Sequence, residues 1–498
     1  PGPGLRGAGP LSAPTETTWV PVIGLEVHCQ LKTASKIFCG CANRFGAPPN
    51  TLTCPVCTGQ PGALPVLNDT ALDLALRAGL ALDCELASVS RFDRKNYFYC
   101  DLPKGYQITQ YEVPFASGGG IELANGKHIR LTRIHMEEDA GKAIHDRGTH
   151  TLVDLNRAGV PLIEIVTEAD MQSAAEAFEF LGLLKERLRF AGVSDCDMEK
   201  GSLRCDVNVS VHLPDEPWRT KVEVKNLNSF RHVRTAIEHE IARQISAYES
   251  EDPSRQPVQE TRLFDVDSGT TRPMRGKEDE GDYRYFPDPD LVPVSASRER
   301  LEEQRRLLPE LPAQRRERYV SEWRVGAREA AILTADRPLA DFFEATVRAL
   351  AENEGGAQAA AKWLTNDVLR IVGEQGTGSL SDMPLTPGQL ARVISLVEGG
   401  ELQRKGAQCL LARLITEGGE VDSLVVELGL AAVTDDGQLR AWCLAALAGR
   451  ESVAAQVRAG NEKAIGALMG PVMGSSGGRA DPARVRALLL ELIREDGP

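Results

Sequence analysis

The feature that most limits the fold is a change of period near Asp290. From Val20 to about Asp290, apolar and polar residues alternate in short runs divided by turn residues. That is the pattern β-strands need, because successive side chains point to opposite faces. Beyond Asp290 the alternation stops, and Ala-, Leu-, Arg- and Glu-rich segments with helical spacing follow. Such a chain is expected to be α+β, with a sheet domain over 19–295 and a helical domain over 296–406. A small helical tail over 407–498 follows the turn-forming Gly399–Gly400 pair. The 498 residues suffice for about three or four domains. Residues 1–18 are rich in Pro and Gly and lack both an apolar signal core and an Arg-rich amphipathic pattern, so a disordered extension is expected there.

Two strands are well marked. In Val22–Leu31, Glu26, His28 and Gln30 share one face, opposite Leu25, Val27, Cys29 and Leu31. In Leu203–Val211, Arg204, Asp206, Asn208 and Ser210 stand opposite Leu203, Cys205, Val207, Val209 and Val211. Each strand therefore has a core side and a polar side. Helical spacing appears at Asp69–Leu82, Ala174–Phe190 and Val233–Tyr248. No run approaches the ~18 apolar residues of a membrane-spanning helix. The net charge of −14 excludes a uniformly basic nucleic-acid coat but allows a local basic patch. Nine of the eleven cysteines fall between Cys29 and Cys205, which fits a reducing compartment better than a small secreted disulfide scaffold.

Three constellations carry chemistry. Cys39-Gly-Cys41 and Cys54-Pro-Val-Cys57 are two thiol pairs that can converge on a tetrahedral, structural Zn²⁺; redox-active or unrelated thiols are the alternative. Glu26 and His28, the run from His135 through Glu137, Glu138 and Asp139, and Glu164 in the apolar strand Leu162–Val166 form a carboxylate-rich set. A buried Glu164 needs compensation, which a hard cation such as Mg²⁺ would supply. The alternative is a solvated acidic face paired with Arg133 and Lys142. Arg94, Lys95, Tyr97, Phe98 and Tyr99, followed by Lys104 and Tyr106, interleave rings and cations, which suits base stacking or phosphate binding as well as core packing. Phosphate loops, dinucleotide fingerprints, serine-hydrolase elbows and H-E-x-x-H are all missing.

The stretches Ile23–His28, Phe92–Tyr99, Leu102–Ile108, His135–Lys142, Asp154–Gly159, Glu199–Asp206, Val224–Ser229 and Asp282–Pro287 occur in the order found in one family. They resemble the B subunit of the aspartyl/glutamyl-tRNA amidotransferase, and Gly460–Gly466 with the stretch from Ala480 resembles that family's tail. The resemblance implies a mainly antiparallel, cradle-like catalytic domain, a helical domain and a tail that binds the tRNA body. It implies a glutamine-hydrolysing, ATP-dependent ligase acting on Glu-tRNA(Gln), Asp-tRNA(Asn) or both. A glutaminase, the A subunit, would supply ammonia from glutamine, and a small C subunit would clasp the pair. ATP would phosphorylate the side-chain carboxylate of the misacylated tRNA, and ammonia would displace phosphate, with Mg²⁺ neutralising charge.

On this resemblance Glu26, His28, Glu138 and Glu164 become the Mg²⁺ ligands, with Glu137 the rival to Glu138 because neighbouring strand residues face opposite ways. Lys95, Lys104 and Asp290 would line the ammonia route or the acyl-phosphate pocket, and Arg94, Glu137 and Lys142 would contact the cofactor. The Cys quartet occurs in only some members, so zinc rests on spacing alone. Cys29 stands where a small apolar residue is commoner, and beside His28 it is expected to tune or poison that site. Without a transit signal a bacterial-type cytoplasmic protein is expected rather than an organellar one. A zinc-containing RNA-binding scaffold and a metal-dependent hydrolase are the competing readings. The scaffold would bind tRNA without ATP chemistry, and the hydrolase would act without partner subunits.

Overall fold

A computed structural model describes residues 18–145, 148–250, 252–274, 283–350, 355–375 and 380–495. The expected disordered extension, apart from Thr18, lies outside them. The chain divides into two units, Pro1–Leu311 and Pro312–Pro498.

The first unit is built on one large sheet. Its main strands are β1 (Val20–Gln30), β2 (Asp93–Asn96), β3 (Tyr106–Thr109), β4 (His128–Glu138), β5 (Pro161–Thr167), β6 (Leu203–His212), β7 (Val222–Leu227), β8 (Glu260–Asp265), β9 (Thr270–Pro273) and β10 (Phe286–Pro287). They lie in the order β9-β8-β7-β6-β1-β5-β4-β3-β2-β10. Along this path only β7 and β8 pair in parallel. The two longest strands, β1 and β4, thus sit near the middle, each with a neighbour on both sides.

Helices cover one face. Asn68 caps α1 (Asp69–Ala81), accepting from Thr70 and Ala71 N–H, and Ser173 caps α2 (Ala174–Phe190), accepting from Glu176 N–H. Ser229 caps α3 (Phe230–Tyr248) by accepting from His232 N–H, so this helix begins nearly a turn before the Val233 start read from spacing. Phe180, Leu181 and Leu184 of α2 and Val233 and Ile237 of α3 share one apolar cluster with Leu25, Val27, Val207 and Val209. The alternation of β1 and β6 is thereby used in full. Apolar side chains meet the helices, and the polar set is left on the other face. The architecture is α+β, as expected. The first helix beyond Asp290, α4 (Arg298–Leu307), packs on α1, where Arg300 Nε lies 2.6 Å from Asp73 and Arg77 donates to Gln304 at 2.7 Å.

The second unit is helical and holds two apolar clusters. The first gathers residues from Tyr319 to Leu424, including those of the helices Arg404–Glu417 and Val421–Glu427; the second gathers Leu439 to Ile493. The helices beyond Gly399–Gly400 therefore divide between the clusters. Spacing reads 359–372 as one helix, whereas the structure passes from Gly356–Trp363 through a π turn, Leu364–Val368, into Leu369–Gln375. Among the described residues no helix is long and apolar enough to cross a membrane.

Ile134 is fully buried in β4 on the helix-covered face. Ile134→Ala is expected to destabilise the sheet unit by about 2–5 kcal/mol, through lost burial and a residual cavity. Equilibrium denaturation should show a lower midpoint at unchanged slope.

Candidate active site

Residues opposite one another on antiparallel neighbours share a face, so the polar side of the sheet can be assembled strand by strand. Arg204 on β6 lies opposite His28 on β1, His28 opposite Glu164 on β5, and Glu164 opposite His135 on β4. Two residues along β4, Glu137 lies opposite Leu162 on β5 and Thr109 on β3. His28 Nε2 is 3.6 Å from Glu137 Oε1 and 3.5 Å from Glu164 Oε2. His135 Nε2 is 3.3 Å from Glu164 Oε2 and 3.8 Å from Glu137 Oε2. Candidate ligand atoms of His28, Glu137 and Glu164 all fall within 4.8 Å of one another, a spacing that suits one cation.

The electrostatics agree with that geometry. Burial opposes the His28 imidazolium, but Glu164 and then Glu137 outweigh it and raise its pKa to about 9. Burial likewise works against the Glu164 carboxylate, yet His135 and His28 hold it well below the usual carboxylate range. Burial alone would depress Lys95, whereas Glu137, foremost among its neighbours, raises it above the ordinary lysine range. Its Nζ sits 4.7 Å from the Tyr283 ring centre. Glu26 lies one step farther along β1, accepts from Asn208 Nδ2 at 2.9 Å, and is raised by burial and by Glu164. It borders the set without joining the three close ligand groups.

Glu138 requires a correction. Alternation along β4 turns it away from His28 and Glu164 to the opposite face, so Glu137 and not Glu138 stands beside them. There Glu138 is buried, pairs with Lys104 and accepts from Ile108 N–H at 2.9 Å. A cavity of about 100 Å³, lined by Glu138, Lys104, Tyr106, Cys39, Cys57 and Gly159 among others, adjoins this pair. The same alternation corrects the expectation for Cys29. Its thiol is buried in the apolar core, 4.0 Å from Cys196 Sγ, and faces away from His28.

The remaining expected residues separate. Arg94 and Asp290 meet: the guanidinium lies 4.2 Å from the Tyr106 ring centre, donating to Asp290 at 2.9 Å and to buried Asp288 at 2.8 Å. Lys142 is exposed on a short two-stranded ribbon opposite Asp154. Sequence reasoning places Asp139 in the acidic run and Arg204 on the polar face of its strand without pairing them, yet Arg204 Nη2 donates to buried Asp139 at 2.6 Å, and Gln30 donates to the same oxygen at 2.9 Å. The polar side of β1 and β6 carries the signal for Gln30 and Arg204; their common partner depends on pairing across the sheet.

Cys39, Cys41, Cys54 and Cys57 converge with all four sulfurs within 4.8 Å. The backbone N–H of Cys54 donates to Cys57 Sγ at 3.2 Å, and buried Lys36 Nζ lies 3.6 Å from the same sulfur. Cys57 is held down to about 4, first by the Cys39 thiol and also by the Cys54 N–H and the Lys36 ammonium. A set of four thiols, one of them readily ionised, matches a tetrahedral Zn²⁺ site.

The class of protein follows from comparison: the GatB/GatE catalytic domain family matches residues 21–302, the span that carries the sheet and its carboxylate–imidazole cluster, and the GatB domain family matches 341–493. The B subunits of the aspartyl/glutamyl-tRNA(Asn/Gln) amidotransferases of Thermosynechococcus vestitus and Persephonella marina are each 47% identical to the chain, over 96% and 95% of it and 97% and 99% of their own lengths. That of Geotalea uraniireducens is 48% identical over 95% of the chain and 98% of its own length. The chain belongs to the family of aspartyl/glutamyl-tRNA(Asn/Gln) amidotransferase B subunits.

With a pKa near 9, His28 is protonated at pH 7.5 in the metal-free chain. If His28 ligates Mg²⁺ it must be neutral, so binding of the ion would release about one proton per ion at that pH. Calorimetry in two buffers of different ionisation enthalpy measures this release; none would place the ion elsewhere.

Proposed function

We infer that this chain is the subunit that activates misacylated tRNA, converting Glu-tRNA(Gln) to Gln-tRNA(Gln), Asp-tRNA(Asn) to Asn-tRNA(Asn), or both. A side-chain carboxylate is a poor acceptor for ammonia. Its oxygen attacks the γ-phosphorus of ATP, the bond to the β-phosphate oxygen breaks, and ADP leaves an acyl phosphate behind. Ammonia then adds to the acyl carbon, phosphate departs with the C–O electron pair, and an amide remains. Ammonia would come from glutamine through a partner glutaminase, the A subunit, with a C subunit completing the assembly. The helical tail would hold the tRNA body.

The observation that carries this reading is the split between Glu137 and Glu138. Adjacent on β4, they face opposite sides of the sheet, one towards His28 and Glu164 and the other towards Lys104 and a cavity. His28, Glu137 and Glu164, with Glu26 beside them, would hold Mg²⁺, which when bound offsets charge on the transferring phosphoryl group. Lys95 stands on the same face as Glu137 and supplies a fixed positive charge towards the reacting phosphate. Arg94, held by Asp288 and Asp290, positions β2, which carries Lys95. On the other side, the Lys104–Glu138 pair is the polar lining of a route for ammonia. Two reagents thus reach the acyl carbon from separate sides, which limits hydrolysis of the acyl phosphate. The Cys quartet holds a structural zinc, since four thiolates leave no position for a substrate.

Glu137→Gln in the assembled complex is expected to weaken Mg²⁺ binding and lower tRNA-dependent ADP formation by about a hundredfold or more. Glu138→Gln is expected to leave Mg²⁺ affinity and ADP formation intact while amide formation falls. Equal loss of both steps in both variants would show that the two faces do not divide the chemistry.

Elemental analysis of the native chain is expected to find about one Zn²⁺ per chain. Cys54→Ser should lose it and melt at lower temperature, because a structural zinc contributes directly to folding. A zinc-free native chain would remove this assignment.

A further inference from the structure

The hairpin joining β2 to β3 carries a side chain that neither proposed half-reaction uses. Its legs hold Lys95 and Lys104, which reach the two faces of the site. Between them, Tyr97 turns inward: its hydroxyl donates to Gln107 Oε1 at 3.0 Å, and Gln107 in turn donates to the Glu138 carbonyl at 2.8 Å. Phe98, the next residue, is turned out, with 87% of its surface exposed, and Tyr99 beside it is 54% exposed. A scattered apolar residue on a surface needs no explanation, but this one is seated. Its ring lies against Gly105, whose left-handed φ of +74° and missing side chain make the seat. A Cβ there would come within 3.0 Å of the Phe98 ring. Tyr97 donates its backbone N–H to Gly105 O at 3.3 Å, fixing the two legs together at that point.

We propose that Phe98 is the stacking surface for the base of the 3′-terminal nucleotide of the tRNA, the adenosine that carries the aminoacyl ester. The inference rests on the functional reading above. An aminoacyl group can reach Lys95 and the carboxylates only if its own nucleotide stops close by. The ribose that bears the ester is covalently fixed to the terminal base. An unpaired base has two flat apolar faces, and an exposed aromatic ring covers one of them without reading its sequence. Phe98 is three residues from Lys95 and one from the inward Tyr97, so a base resting on it leaves the ester at the mouth of the site.

The test uses the assembled complex with its partner subunits and uncharged tRNA(Gln), either intact or lacking only its terminal adenosine. For the unmodified complex, loss of that adenosine is expected to weaken binding about tenfold, the scale of one base–aromatic stack. In Phe98→Ala the two tRNAs should bind alike, at the level of the shortened one, and Phe98→Trp should restore the difference. Charged tRNA should show a raised KM in Phe98→Ala and an unchanged kcat. A Phe98→Ala complex that still distinguishes the two tRNAs tenfold would overturn the proposal. So would failure of that variant to assemble with its partners while its own melting temperature is unchanged, since Phe98 would then belong to a protein–protein interface. The binding comparison needs no catalysis. Loss of ATP-dependent amide formation in the unmodified complex would strike the functional reading alone.

Discussion

Two carboxylates held close together in a largely dry place set the terms for the rest of the first unit. Glu137 is buried, Glu164 nearly so, and each lies within 4 Å of the same two imidazoles. Their mutual repulsion and lost hydration both oppose such an arrangement. It persists because His28, His135 and Lys95 are fixed around it by strand pairing, which flexible loops would do less firmly. The central position of β1, β5 and β4 follows from this need, since a strand bonded on both sides moves least. A second polar layer, Arg204 and Gln30 on buried Asp139, supports the strand ends next to the cluster.

The one-sided packing of the sheet serves the same end. Helices α2 and α3 bury the apolar sides of β1 and β6, so the polar sides are left free to converge over the sheet centre. Had helices covered both faces, the carboxylates would have no access to a substrate. Had neither face been covered, the strands would lack the packing that holds them in register. The cysteine lobe packs on the core through Ile37 and Phe38 and is braced by Lys36, whose ammonium reaches Cys57 and the carbonyls of Leu52 and Leu155.

Much of this is legible in the chain. Alternation in Val22–Leu31 and Leu203–Val211 identifies two strands, which the structure pairs, and the residues that share each one's polar side. The spacing of the cysteine pairs is enough to expect their convergence. What escapes is whatever depends on pairing between distant segments. Alternation says that Glu137 and Glu138 face opposite ways, but which of them joins His28 is decided by the register of β5 against both neighbours. Cys29 illustrates the same limit: adjacency to His28 in sequence suggests influence, while a strand places adjacent side chains on opposite sides. The buried Asp139 and the Asp288 partner of Arg94 are hidden because each acquires its role from a residue more than sixty positions away. The early start of α3 is a local matter, set by the Ser229 cap rather than by the apolar spacing.

The back-to-back placement of Glu137 and Glu138 makes β4 tolerant in one sense and brittle in another. A substitution within His135–Asp139 alters one group and leaves its neighbours where they are. Gain or loss of a single residue there would instead rotate everything beyond it by half a strand period, moving Glu137 to the helix-covered side and Met136 or Glu138 to the side of His28 and Glu164. Both chambers would be dismantled at once by a change that adds or deletes a single codon in the coding message. Length, more than composition, is the heritable property this strand has to keep.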